Sequence, residues 1–187
     1  MTSRAHDVYL AFYTLKHSKL NIFKKLYYRL RYILADRFVW DIPRVHIEII
    51  VDGYSYSINQ EEKEIHSIKQ KQYRNDNYEI PLFRHFVLND DEYIKLLTFI
   101  QNHKKNEGYD SWSDWYFIPI IGRCIPQSKK EWFCSKFVAT ALEYSSSAWK
   151  CYIKDPEHMT PEDIYVISLH TCNSVTSLDI RSLGLSE

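Results

Sequence analysis

Val45-His-Ile-Glu-Ile-Ile-Val-Asp-Gly-Tyr-Ser-Tyr-Ser-Ile-Asn-Gln60 is the stretch on which the fold turns. Val45, Ile47, Ile49 and Val51 recur at every second position, the period of a strand with one face against a core. Asp52-Gly53 follows, and this dipeptide signals a two-residue hairpin turn because both central residues of such a turn take positive φ. Tyr54, Tyr56 and Ile58 then alternate on the return strand. A turn at Asp52-Gly53 determines the register. Val51 opposes Tyr54, Ile49 opposes Tyr56 and Ile47 opposes Ile58 on the apolar face. Ile50 opposes Ser55, Glu48 opposes Ser57 and His46 opposes Asn59 on the other.

Working outward from the hairpin, Pro43 ends any helix before Val45. Further upstream, Val8-Tyr-Leu-Ala-Phe-Tyr13 reads as a short buried strand. Between the two lies Leu20 to Phe38, with Ile22, Phe23, Leu26, Leu30, Ile33 and Leu34 at helical spacing and Lys24, Lys25, Arg29, Arg31 and Arg37 interleaved. We read it as a core-packed helix with a solvated basic face. Weak contact with an anionic membrane surface is the other use of such a face. Downstream, Glu61 to Lys71 reads as a loop or irregular strand, and Tyr78 to Leu88 as a strand despite Pro81. Asn89-Asp-Asp-Glu92 starts a helix that runs to about Gly108, its acidic residues suited to the amino end. Ser128-Lys-Lys-Glu131 matches a capping box, which predicts a helix from about Ser128 to Tyr144, broken at Ser145-Ser-Ser147. Ile164 to Leu169 reads as a last strand. The fold class is therefore α+β, an antiparallel sheet packed on the helix that carries Cys134.

Bulk properties bound the rest. The 187 residues, 45% of them hydrophobic, suffice for one domain with its own core. We place that domain over 1–187, with a core over about 7–169 and a loosely packed Ser/Thr-rich tail over 170–187. A net charge of zero offers no general attraction for nucleic acid, and none is expected as a partner. No apolar run reaches membrane-spanning length, and the amino terminus lacks the apolar core of a secretory signal. Cys124, Cys134, Cys151 and Cys172 are irregularly spaced, which argues against a disulfide framework and for a reducing, cytoplasmic setting. The absence of CxxC and HExxH argues against a zinc site.

Nucleophilic catalysis by cysteine requires a base within hydrogen-bonding reach and a third group to orient that base. In the hairpin register Asn59 faces His46, and directly opposed Cβ atoms lie about 4.5–5.5 Å apart, close enough for Asn59 to fix the imidazole tautomer. Glu61, diagonal to His46, and Glu48, two residues along the same face, are alternative orienting groups, although Glu48 would more naturally flank the ring than bond to it. Cys134 stands in Trp132-Phe-Cys-Ser-Lys-Phe-Val138. At a helix start, dipole and open amides would favour a thiolate and an oxyanion, but a helix beginning at Ser128 removes that advantage. Spacing alone also allows Cys134 to be a small buried hydrophobe on a stripe with Phe137, Val138 and Ala141.

Val45-His-Ile-Glu-Ile49, Gly108-Tyr-Asp110 and Cys134-Ser-Lys-Phe-Val138, in that order, resemble the motifs of the permuted branch of the NlpC/P60 papain-like superfamily, with Thr160-Pro-Glu-Asp163 similar to an element after its cysteine helix. The resemblance spans roughly residues 7 to 168. It implies a circularly permuted papain-like fold with His46 as base, Cys134 as nucleophile and a polar residue of the next strand as orienter, often Glu in relatives. Lys136 departs from the pattern, since many relatives carry Glu there. The implied activity is that of a thiol hydrolase or acyltransferase acting on a peptide, protein or acyl-lipid substrate without a cofactor. Branch members include bacterial amidases and peptidases, lecithin:retinol acyltransferase-like enzymes and poxviral proteins, and the composition of this chain is compatible with a large DNA virus and with a host cytoplasm. Tyr109, Asp110, Trp112 and Trp115 are the candidate substrate-groove residues. The competing function is a catalytically silent papain-like fold that binds a protein or membrane partner.

Overall fold

Asp52 and Gly53 have φ of 51° and 74°, the left-handed pair that a tight hairpin turn demands. A Cβ on Gly53 would meet nothing within 4 Å, so conformation rather than space favours glycine there. The turn joins β2 (His46–Val51) to β3 (Tyr54–Ile58) with Val51 opposite Tyr54, Ile50 opposite Ser55 and Ile49 opposite Tyr56, the expected register.

The computed structural model describes residues 4–14, 44–58, 65–69, 81–103, 108–109 and 131–174. The hairpin belongs to a six-stranded antiparallel sheet whose other strands are β1 (His6–Tyr13), β4 (Ile65–Lys69), β5 (Leu82–Leu88) and β8 (Asn173–Ser174). Its spatial order is β4-β3-β2-β1-β5-β8. Two further short strands, β6 (Gly108–Tyr109) and β7 (Glu131–Trp132), pair in parallel. The helices are α1 (Asp90–His103), α2 (Cys134–Ser145), α3 (Ser147–Lys150) and α4 (Pro161–Thr171). The molecule is α+β, as its sequence pattern requires.

Central β1 and β2 bury both faces, and period-two alternation sorts their side chains into two clusters. Val8, Leu10, Phe12, Ile47, Ile49 and Val51 join the main core with Leu96 and Ile100 of α1 and Phe137, Val138, Ala141 and Leu142 of α2. Removing each such large aliphatic or aromatic side chain from water contributes roughly 1.5–3 kcal/mol. Ala11, Tyr13, Ile50 and Phe83 form a second, smaller cluster. His46 and Glu48 precede Ile50 at two-residue steps and so share its face. Helix α2 lies against β2 and β3, which brings its amino end to the start of β2.

Three expectations need correction. The helix expected from Ser128 begins at Cys134, because Glu131-Trp132 is drawn into extended pairing with Gly108-Tyr109 and the capping-box pattern is overridden. The strand expected over Ile164 to Leu169 is helix α4. There Thr160-Pro-Glu-Asp163 is itself the capping box: the Asp163 amide donates to Thr160 Oγ1 at 3.1 Å, and the Thr160 amide donates to Asp163 Oδ2 at 2.7 Å. With Pro161 at the first turn, this start signal outweighs the β-branched composition that follows it. Within the stretch expected as a tail from His170, His170 and Thr171 complete α4 and Asn173 pairs with His85 at the sheet edge. Within Glu61 to Lys71, residues 65–69 form a regular antiparallel partner of β3. Helix α1 starts after Asn89 as read, and Asn89 and Glu92 cap it reciprocally through side chain and backbone. The Leu20 to Phe38 segment and its expected membrane contact lie outside the described residues, as does Trp112 to Pro126.

Candidate active site

Position 134 is where the packed helix meets the hairpin. The N-cap of α2 is Phe133 in extended conformation, and its side chain has no oxygen with which to accept a first-turn amide. The amides of Cys134 and Ser135 therefore face out of the helix with the positive end of its dipole. Cys134 is half-buried, with one side against the main core. Its backbone approach is braced by the parallel pairing of Trp132 with Tyr109.

Opposite the thiol is His46, the first residue of β2 and only 4% exposed. The Cys134 side chain lies close enough to the imidazole to act on its proton affinity. On its other side the ring meets a carboxylate: His46 Nε2 lies 3.1 Å from Glu48 Oε1. Burial pushes the imidazole pKa down, but the charge and hydrogen bond of Cys134, joined by those of Glu48, outweigh it and raise the value to about 10.

Glu48 is fully buried, which for a carboxylate demands donors. Tyr13, paired with His46 across β1 and β2, donates its hydroxyl to Glu48 Oε2 at 2.9 Å. Ser55 of β3 donates to the same oxygen. The residue directly opposite Glu48 on β1 is Ala11, whose small side chain leaves room for the carboxylate. Glu48 therefore bonds the ring instead of flanking it. Flanking is the more natural expectation for two residues of one strand face, and a long glutamate side chain bridges that step instead.

Two more contacts support this arrangement. Arg44, two residues before His46, donates from Nη1 to both carboxylate oxygens of Glu162 of α4 at 2.8 and 2.9 Å, and its guanidinium lies 3.4 Å above the Tyr165 ring. The Thr160-Pro-Glu-Asp163 element thereby ties down the chain entering the histidine strand. Lys136, where relatives of the resembling family often carry an acid, is buried with its ammonium 5.3 Å from the Trp132 ring centre.

The structure thus brings Cys134 and His46 together and adds Glu48, Tyr13 and Ser55. Asn59, Glu61, Asp110, Trp112 and Trp115 lie outside the described residues, and Tyr109 is placed as a strand residue beside Trp132. One signal for Glu48 was present in the sequence. A glutamate inside His46-Ile-Glu-Ile-Ile-Val51 has apolar neighbours on both faces and must find donors close by. Tyr13 could not have been found that way, because the register of β1 on β2 joins segments 32 or more residues apart in the chain. Of the other described cysteines, Cys151 is exposed, and Cys172 is half-buried with its thiol pushed up to about 11 by burial. Among the described residues, no group of three or more His, Cys, Asp or Glu side chains is placed to hold a metal ion, and no helix is long and apolar enough to cross a membrane. Comparison with family models, with curated proteins and with solved structures finds no match for the chain.

Proposed function

We propose that this protein is a cysteine-dependent hydrolase or acyl-transfer enzyme built on a permuted papain-like fold, with Cys134 as nucleophile, His46 as acid and base, and Glu48 as the group that orients the ring. The observation that carries the reading is a half-buried cysteine at the first position of a helix, electrostatically coupled to a buried histidine that a buried carboxylate grips from behind. The order of these parts along the chain, histidine strand before cysteine helix, is that of the permuted family whose motifs the sequence resembles.

With Nε2 turned to Glu48, Nδ1 is the nitrogen that serves the sulfur. The Cys134 thiolate attacks an acyl carbonyl, and the electron pair of the C=O bond moves onto oxygen, where the outward amides of the first helical turn receive it. Collapse of this intermediate expels the amine or alcohol, which takes its proton from the imidazolium. The resulting thioester is then attacked by water, or by an acceptor nucleophile, whose proton His46 removes, and the C–S bond breaks to release the acyl product and return the Cys134 sulfur. Glu48 does not change its charge in this cycle; it holds the imidazolium in place and balances it. The substrate class is an amide, peptide or ester, carried on a peptide, protein or acyl lipid. A reducing compartment such as the cytoplasm suits the free thiol.

Labelling tests the proposal. Treated with iodoacetamide near neutral pH, Cys134 should react well ahead of Cys124, Cys151 and Cys172, as mapped by mass spectrometry. Peptide, amide and ester probes should then acylate it and be released. Equal labelling of the four cysteines, or hydrolysis that survives Cys134→Ala, would sink the assignment. Selective labelling without turnover on any probe would favour the silent binding module instead.

A further inference from the structure

Glu48 has no contact with water, and a carboxylate in that position takes up a proton unless enough donors replace the lost solvent. The donors here are specific. The Tyr13 and Ser55 hydroxyls both donate to Oε2, while His46 Nε2 lies against Oε1. A carboxylate oxygen offers about two acceptor positions, so two O–H donors occupy Oε2 and leave no place on it for a proton. Two O–H donors on Oε2 favour the ionised carboxylate, and an ionised Oε1 accepts from an N–H at His46 Nε2, so the orientation of the ring depends on two hydroxyl groups on neighbouring strands.

Among the described residues, no other charged group accounts for this. Facing Glu48 are His46 on its own strand, Tyr13 and the Ala11 methyl on β1, and Ser55 on β3. Facing His46 are Cys134 from α2 and the Tyr13 ring, whose centre is 5.5 Å away. The buried Lys136 has its ammonium over Trp132, and Arg44 is paired with Glu162.

We propose that Tyr13 and Ser55 are positioning residues that keep Glu48 ionised and aligned, so that His46 stays protonated beside Cys134 and the nucleophile is already a thiolate near neutral pH. This rests on the cysteine-hydrolase reading of the site. Removal of either hydroxyl leaves an acceptor position of a buried anion unfilled. Glu48 then gains a proton more readily, the imidazolium loses its counter-charge, and the pair reverts to neutral thiol and neutral imidazole.

The test compares the iodoacetamide rate at Cys134 at two pH values within each protein. In the wild type the rate should change less than about threefold between about pH 6.5 and about pH 9, because the thiolate is present at both. In Tyr13→Phe and in Ser55→Ala the rate at the lower pH should fall about tenfold or more relative to the same variant's rate at the higher pH, the behaviour of an ordinary thiol. Ser55→Thr retains a donor hydroxyl and should keep the wild-type ratio. A purely structural role would lower both rates together. Half-buried Cys172 monitors the fold in the same experiment: its labelling accelerates if a variant opens, and the ratio is then read on the other variant. Wild-type Cys134 that reacts no faster than exposed Cys151 would overturn the hydrolase reading and this inference with it. A reactive wild type with unchanged ratios in both variants would overturn this inference alone.

Discussion

At Glu48 the competition is between desolvation and hydrogen bonding. Full burial opposes a charge there, and three donors within reach sustain it. Because Glu48→Gln preserves shape but removes the negative charge, it isolates what that charge does for His46. The rate at which acyl electrophiles modify Cys134 near neutral pH should fall by on the order of 10²-fold or more in Glu48→Gln, with the far-UV circular dichroism unchanged. Asn59→Ala and Glu61→Ala should then be mild. A severe Asn59 effect beside a silent Glu48 would return the orienting role to the cross-strand residue. The candidate nucleophile and base were legible in the sequence because cysteine and histidine carry their chemistry in their identity. Glu48 was not, because its identity fits a solvated strand face equally well, and only burial separates that role from an orienting one.

Helices α2 and α4 show how differently two helix starts can be built. The α4 start is locally encoded: Thr160, Asp163 and Pro161 satisfy its first turn without help from the rest of the chain. Loss of that cap should be measurable as stability. Thr160→Ala is expected to lower the urea unfolding free energy by about 1 kcal/mol, and Thr160→Ser to restore most of it. An unchanged midpoint in Thr160→Ala would show that packing of Ile164 and the Arg44–Glu162 pair, rather than the cap, holds the helix start. The α2 start has no such local signal. A stronger one at Ser128 was available and went unused, since residues 131–132 pair with residues 108–109 and only then does the chain coil. The consequence is functional, because a helix that begins at Cys134 presents its dipole and open amides at the thiol.

For the molecule as a whole, the buried Cys134–His46–Glu48 group makes stability depend on pH. In the folded protein the His46 pKa is about 10, above the ordinary value of 6.5. A group that holds its proton more tightly when folded contributes its full stabilisation below the unfolded value and loses it as pH rises toward the folded one. The proposed Cys134 thiolate offsets this loss up to the ordinary thiol value, so the melting temperature should fall chiefly between about pH 8.5 and about pH 10, by roughly 5 °C or more. In His46→Gln the fall over the same window should be much smaller. An equally steep fall in that variant would assign the dependence to other groups. At this scale too, the division between sequence and structure has a physical basis. The hairpin register and the two clear helices were determined by the sequence alone, because turn chemistry, period-two alternation and helical spacing act over a few residues. Tertiary structure decided which strand lies beside β2, where the cysteine helix begins, and that a glutamate in the middle of an apolar strand is a hydrogen-bond partner of His46. Those outcomes depend on groups far apart in the chain, Tyr13 with Glu48 and Trp132 with Tyr109, and no local pattern records which distant segments share a core.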